Sequence, residues 1–241
     1  MGTLLSPLFA GGGFGLGSSG RAPQPSFEYN GDVFYINDPM TIDWWCDYMR
    51  YWRIATIGFD TEWKPEFRMG ENNRIALIQI CFRRFFWSYH DSNYVCLLMH
   101  VSLSGMTAKL KSFLEDPSVT KAGVVLDQDI HKLSRHYGVD LKGYSDVDTH
   151  VQFRIYNCQG PSFGMIKLVD MVLGMDMKKA KSLSMSNWEA IQLSPSQHKY
   201  AATDAFACLR LYEALAWQQP PMNYPCIGED HRIQEYTRPV E

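Results

Sequence analysis

IATIGFDTEW (residues 54–63) begins as an apolar run, residues 54–59, and closes on two acids one residue apart. Short apolar runs bounded by polar residues read as strands. Side chains alternate along a strand, so Asp60 and Glu62 share one face. Two carboxylates so placed can share a metal ion. The same pair is also what a strand running into a polar turn looks like, and alone it decides nothing. Outward from this stretch, residues 75–82 and 94–99 are two more apolar runs, giving three strands in succession. Residues 107–114 are helix-like and 122–126 form a short apolar strand, after which Ile130, Leu133 and Tyr137 recur at i, i+3 and i+7 as one helix face. Strands first, then strands alternating with helices, give an α/β fold: a mixed sheet flanked by helices.

The last helix carries its own start signal. Ser194-Pro195-Ser196-Gln197 supplies an N-cap serine, a proline at the first helical position and a glutamine three residues after the cap. Ala201, Ala205, Cys208, Leu209, Tyr212 and Leu215 then form an apolar stripe ending near Trp217. Tyr200 and Asp204, four residues apart, lie about 40° apart around the axis and share a face, whereas His198 points away. Asp129 stands at the start of the helix after the 122–126 run, where an acid can also be a cap, although Asp127 is better placed for that role. Asp60, Glu62, Asp129 and Asp204 together form a set of hard oxygen donors with a phenol beside the last. Such donors suit Mg²⁺ or Mn²⁺, and two such ions about 3.5–4 Å apart clamp the oxygens of an in-line phosphoryl displacement.

Composition bounds the rest. The 241 residues are 46% hydrophobic, enough for one sizeable core. A net charge of −3 excludes a protein that coats nucleic acid by bulk electrostatics, so any such contact is a local patch or is bridged by cations. Six cysteines without a C-x-x-C pair fit free thiols in a reducing, intracellular compartment, nuclear or cytoplasmic. No apolar stretch is long enough to span a membrane. Residues 1–26 are rich in Gly, Ser and Pro and residues 218–241 are polar with prolines, so both are expected to be flexible tails around one domain, 27–217. Met1, Gly2 and Ser6 have the spacing of a myristoylation signal, but no polybasic stretch follows.

GFDTEW (residues 58–63) followed by IALIQIC, AGVVLDQDIHKL (residues 122–133), and SNW (residues 186–188) followed by YAATDAFACLRLY (residues 200–212) are three ordered motifs at characteristic separations. In these the chain resembles the DEDD exonuclease superfamily in its tyrosine branch, most closely the Werner-syndrome-protein type, with ribonuclease D a more distant relative. The histidine branch would place a histidine where this chain has Lys199. The resemblance, from about Val33 to Leu215, implies an RNase H-like fold. It also implies removal of nucleoside 5′-monophosphates from a nucleic-acid 3′ end with two divalent cations, Mg²⁺ or Mn²⁺. Asp60, Glu62, Asp129 and Asp204 match the metal ligands, and Tyr200 matches the residue that positions the attacking water.

Candidate substrate contacts lie beside these motifs. FRRFFWSYHDSN (residues 82–93) is longer than the family's usual turn and suggests a projecting hairpin, in which Arg83 and Arg84 with neighbouring aromatics could hold a strand. The same hairpin, or the tails, could instead meet a protein partner. Lys178, Lys179 and Lys181 could touch phosphates or form a solvated charge run. Trp63 could face the terminal nucleotide, although packing at a strand end is the commoner role of an aromatic. The rival to an active enzyme is an inactive member that keeps the fold as a nucleic-acid-binding or protein-interaction module. Four converging carboxylates argue against it, because their repulsion is costly until a metal binds. DNA and RNA are not distinguished at this level.

Overall fold

The computed structural model describes residues 23–84, 93–151 and 162–217. Strand β3 (Thr56–Trp63) does not stop at the acids but runs through them, pairing antiparallel with β4 (Ile75–Arg83) from Gly58 opposite Cys81 to Trp63 opposite Ile75. β4 pairs antiparallel with β5 (Tyr94–Met99), and β5 pairs parallel with β2 (Asp32–Ile36). On the other side β3 is parallel to β6 (Thr120–Gly123), and β6 to β7 (Tyr144–Asp146). The mixed six-stranded sheet therefore reads β2-β5-β4-β3-β6-β7. A parallel two-stranded ladder joins β1 (Ser26–Phe27) to β8 (Asp176–Met177).

Helices cover both faces, which is why β4 and β5 read as continuous apolar runs rather than alternating ones. On one face Ile57 and Phe59 pack with Ile42, Cys46 and Met49 of α1 (Pro39–Tyr51), with α3 (Ala108–Leu114) beyond, α2 (Val101–Ser104) being the short turn between β5 and α3. Asp38 caps α1 by accepting from the Thr41 N–H at 2.8 Å, ahead of Pro39. α4 (Asp127–Tyr137) adds Leu133 to the same core. The other face carries α8 (Pro195–Trp217), whose Ala201, Ala202 and Ala205 are fully buried with Leu77, Cys81 and Cys96 of the sheet. α5 (Val147–His150), α6 (Gly164–Leu168), a π-helical turn over Val169–Leu173 and α7 (Lys181–Ser184) complete this layer. No helix among the described residues is long and apolar enough to cross a membrane. Cys46, Cys81, Cys96 and Cys208 are buried free thiols.

The capping motif of α8 forms as its residues dictate: Ser194 Oγ accepts from the Gln197 N–H at 3.2 Å and Gln197 Oε1 accepts from the Ser194 N–H at 2.9 Å. Three sequence expectations need correction. The 122–126 strand is instead Thr120–Gly123, because Val125 adopts φ 59° and turns the chain out of the sheet. Asp127 is not the cap of α4 but a first-turn residue; the carboxylate that takes the free N–H groups of Val125 and Leu126, at 3.3 and 2.9 Å, belongs to Asp146 of β7. Ordered contacts begin before Phe27: Pro25 accepts from the Asp176 N–H at 2.9 Å, and Gln24 donates to Asp170 at 2.8 Å. Residues 1–22 and 218–241, with the Met1, Gly2 and Ser6 spacing, lie outside the described residues, as does the 85–92 tip of the long hairpin.

α8 can lie this close to β3 because of Gly58. A Cβ there would sit 2.0 Å from the Ala205 carbonyl oxygen and 2.8 Å from the Leu209 nitrogen. Both are backbone atoms that no side-chain rotation can move aside. Gly58→Ala is expected to destabilise the protein by ~1–3 kcal/mol or more, seen as a lower denaturant midpoint at an unchanged slope. An unaltered midpoint would mean that strand and helix are not in contact here.

Candidate active site

Two residues beyond Gly58 on the same strand face stands Asp60, and two further stands Glu62. One carboxylate oxygen from each of Asp60, Glu62 and Asp204 lies within 4.8 Å of the others. Asp204 comes from α8 and is 1% exposed. Its Oδ2 lies 2.7 Å from the Lys179 ammonium, whereas its Oδ1 has no hydrogen-bond partner among the described residues. Tyr200, one helical turn earlier, is 9% exposed and rests against the fully buried Trp188 at 5.9 Å between ring centroids. Gln197 ties this wall together by donating to Ser186 at 3.0 Å and to the Asn187 carbonyl at 3.3 Å. The SNW motif is thus a backing for Tyr200.

Asp129 is brought close but stands apart from the three-carboxylate group. It is buried in the first turn of α4, and its Oδ1 accepts the hydroxyl hydrogen of Thr61, the residue between the two strand acids. The Val125 turn and its Asp146 clamp set where α4 begins, and hence where Asp129 stands. A β-branched residue at positive φ costs roughly 1–3 kcal/mol and persists only where its surroundings enforce it.

Asp129 and Asp204 are buried and Asp60 and Glu62 partly so, and burial raises all four. Burial, with Asp129 and Asp204 nearby, holds Asp60 well above the usual carboxylate range. Burial, with Asp60 and Asp204, pushes Glu62 up to about 10. Burial raises Asp129 to about 6 against the pull of the Thr61 hydrogen bond. Burial also raises Asp204, which Lys179 and Tyr200 oppose. The Tyr200 phenol is itself raised, by burial and then by Asp204, so it remains protonated at neutral pH. Burial works against the Lys179 charge, but Asp204, Asp60 and Tyr200 hold its ammonium above its ordinary range.

These residues fit divalent cations. The donors are hard oxygens, they converge, and Asp204 Oδ1 lacks a partner although buried polar atoms are rarely left so. Gln79 adds to the fit: it is fully buried directly opposite Asp60 in the ladder, and neither amide atom has a partner among the described residues. Sequence reading missed Gln79, although a lone polar residue inside IALIQIC was the signal. It missed Thr61 because the hydroxyl lies on the strand face opposite the two acids.

The candidate substrate contacts separate. Lys178 is exposed and lines a cavity of about 210 Å³ with Lys199, Tyr200 and Asp204. Lys179 is drawn into the acids, and Lys181 opens α7. Trp63 is half-buried under the Lys132 ammonium, 4.9 Å from its ring centroid, and packs into the core on the α1 face. Arg83 lies 5.7 Å from the centroid of Tyr94, and Arg84 pairs with Asp32 at 3.0 Å. Tyr94 in turn donates to Glu213 at 2.6 Å, which lies about 14 Å along α8 from Asp204 at the helical rise. The two arginines are therefore not at the acidic cluster.

A family model for a 3′-5′ exonuclease matches residues 43–218. The chain belongs to that family. It is 35% identical over 163 residues to a 3′-5′ exonuclease of Arabidopsis thaliana, covering 67% of this chain and 53% of the relative. It is 34% identical over 194 residues to the bifunctional 3′-5′ exonuclease/ATP-dependent helicase WRN of Mus musculus, covering 79% of this chain and 13% of that protein. The chain thus spans about half, or much less, of these relatives. Among solved structures, Escherichia coli RNase D superposes with a TM-score of 0.61 at 23% identity, covering 77% of this chain and 44% of that one. Trypanosoma brucei RNase D in complex with RNA U12 superposes at 0.62 and 19% identity, covering 78% and 63%. The RNase H-like architecture is shared with these neighbours.

The shifted acids make the exonuclease fold pH-sensitive when metal is withheld. A carboxylate raised by folding holds its proton more tightly folded than unfolded, so its stabilisation is full at low pH. It is lost as pH rises from about 4, the unfolded value, through the folded one. In chelator the melting temperature should therefore fall as pH rises from about 4, through the folded value of about 6 for Asp129 and on towards about 10 for Glu62. Asp60→Asn should melt higher than wild type at about pH 8 and show a shallower fall. Parallel profiles for the two proteins would contradict the mutual repulsion of the acids.

Proposed function

We propose that the protein is an active 3′-5′ exonuclease of the tyrosine branch, hydrolysing the terminal phosphodiester of DNA or RNA and releasing nucleoside 5′-monophosphates. The observation that carries this reading is the convergence of Asp60, Glu62 and Asp204 oxygens within 4.8 Å, with Tyr200 one turn away on the helix that bears Asp204. Asp129, held by Thr61, is the fourth carboxylate of the set. Two divalent ions, when bound, supply neutralisation of the phosphate charge and a lowered pKa for the attacking water.

The chain's own residues do the positioning. Asp60 is fixed by its Oδ1, which accepts from the Thr61 N–H at 2.9 Å. Tyr200, protonated and held against Trp188, orients the attacking water through its phenolic oxygen rather than removing a proton from it. Lys178 and Lys199, at the mouth of the cavity beside Tyr200, offer ammonium groups to the substrate backbone; Lys199 is balanced by Glu28 at 2.8 Å. His198 takes no part: its ring stacks on Tyr35 at 4.8 Å. Support for nucleic acid as substrate comes from the named activities of the relatives and from the RNA held by the Trypanosoma brucei neighbour. An intracellular location, nuclear or cytoplasmic, belongs to the same reading.

The test is digestion of 5′-labelled single-stranded DNA, single-stranded RNA and recessed duplexes with Mg²⁺ or Mn²⁺. A ladder shortening from the 3′ end is expected, abolished by Asp60→Asn or Asp204→Asn. Binding without shortening by wild type would assign the chain to the inactive binding class instead. Tyr200→Phe keeps the ring and all four acids but removes one oriented hydrogen bond, so single-turnover hydrolysis should slow roughly 10²-fold or more. Metal affinity by calorimetry should hold, and His198→Ala should be near wild type. A large loss in the histidine variant with a normal tyrosine variant would contradict the assignment.

A further inference from the structure

Lys179 lies between two ordered pieces, the β1–β8 ladder that ends at Met177 and α7 that begins at Lys181. Its neighbour Lys178 is exposed, whereas the Lys179 side chain runs inward past the Met165 sulfur, to which its ammonium lies 3.7 Å. The ammonium ends 2.7 Å from Asp204 Oδ2 and 5.1 Å from the centroid of the Tyr200 ring. It occupies the same carboxylate that converges with Asp60 and Glu62. A buried carboxylate without a cation is costly, and an ammonium seated on one of its oxygens repels a divalent ion drawn to the other.

We propose that Lys179 is the internal counter-cation of the acidic cluster: it neutralises Asp204 while no divalent ion is bound, and its charge competes with an ion at that carboxylate and is driven from Oδ2 when one binds. The inference rests on the cluster being a cation site, as the exonuclease reading requires, but not on any turnover. Lys179 sets the metal affinity from within, making the empty site stable at the expense of tight ion binding. Its displaced ammonium has a destination. The cavity lined by Lys178, Lys179 and Lys199 opens beside Asp204, where a substrate phosphate can receive it. Phosphate and divalent ion therefore favour one another's binding, each making the exchange of partners easier for the other.

Titration of the protein with Mn²⁺ alone, by calorimetry without nucleic acid, tests the exchange. Lys179→Met keeps the length of the side chain and removes its charge. It should bind Mn²⁺ at least about tenfold more tightly than wild type, a modest demand for removing a unit charge in contact with a ligand carboxylate. Its melting temperature in chelator should drop. Lys178→Met, one residue away and exposed, should change affinity by less than about twofold.

A second measurement needs only the wild-type fold. The ¹⁵Nζ resonance of Lys179, assigned by its absence in Lys179→Arg, should be protected from solvent exchange in chelator and lose that protection on saturation with Mg²⁺. Equal or weaker Mn²⁺ affinity in Lys179→Met, a change no larger than that of Lys178→Met, or a resonance indifferent to Mg²⁺ would each overturn the proposal. Failure of wild type to bind either ion would overturn the cation-site reading with it.

Discussion

The close approach of α8 to β3 at Gly58 is the constraint from which the site follows. Helix backbone rests on strand backbone where a single methyl group would collide with the Ala205 carbonyl. That contact fixes how far Asp204 stands from Asp60, two residues along the strand. Around it α8 carries small residues, Ala201, Ala202 and Ala205, each fully buried. The capping box of Ser194 and Gln197 and the backing of Tyr200 by Trp188 fix the other end of the helix. One strand contributes two carboxylates and two helices one each, their positions set by backbone packing rather than by flexible side chains, as a site that must hold reacting groups within fractions of an ångström requires.

The same packing works against stability. Neighbouring acids raise the proton affinity of Asp60 and Glu62, Gln79 is buried opposite Asp60 without a partner among the described residues, and Val125 is held at a positive φ. None of these features is favoured by folding alone. Each lies at the acidic cluster or, like Val125, just ahead of the helix bearing Asp129. Lys179 offsets part of the cost from inside the cluster, and Thr61 offsets another part at Asp129. Strain is not confined to the site, since Arg53 also adopts φ 50°, but these three features coincide with it.

Much of this was legible in the sequence where a residue's role depends on its near neighbours. The alternation along GFDTEW, the four-residue spacing of Tyr200 and Asp204, and the Ser194 to Gln197 cap are local patterns, and each element formed as its pattern dictates. Where a role depends on chain segments far apart, the reading fell short. Residues 122–126 form an apolar run, and only the reach of Asp146 from β7 turns Val125 out of the strand. Lys178, Lys179 and Lys181 look equivalent in a charge run, yet the β1–β8 ladder selects which of them points into the acids. Arg83 and Arg84 sit beside aromatics in the sequence as a nucleic-acid platform would, but the direction of β4 carries them away from the cluster.

Asp60, Glu62, Asp129 and Asp204 are proposed to form one cation site serving a nucleic-acid 3′ end. Its most direct test is a crystal structure of the protein with Mn²⁺ and a short oligonucleotide bearing a non-hydrolysable 3′-terminal linkage, with the ions located by anomalous scattering. Anomalous peaks are expected bonded to Asp60, Glu62 and Asp204, with Asp129 engaged and the terminal phosphorus facing Tyr200. Manganese bound elsewhere, or a 3′ end seated away from these residues while Lys179 still holds Asp204, would contradict it.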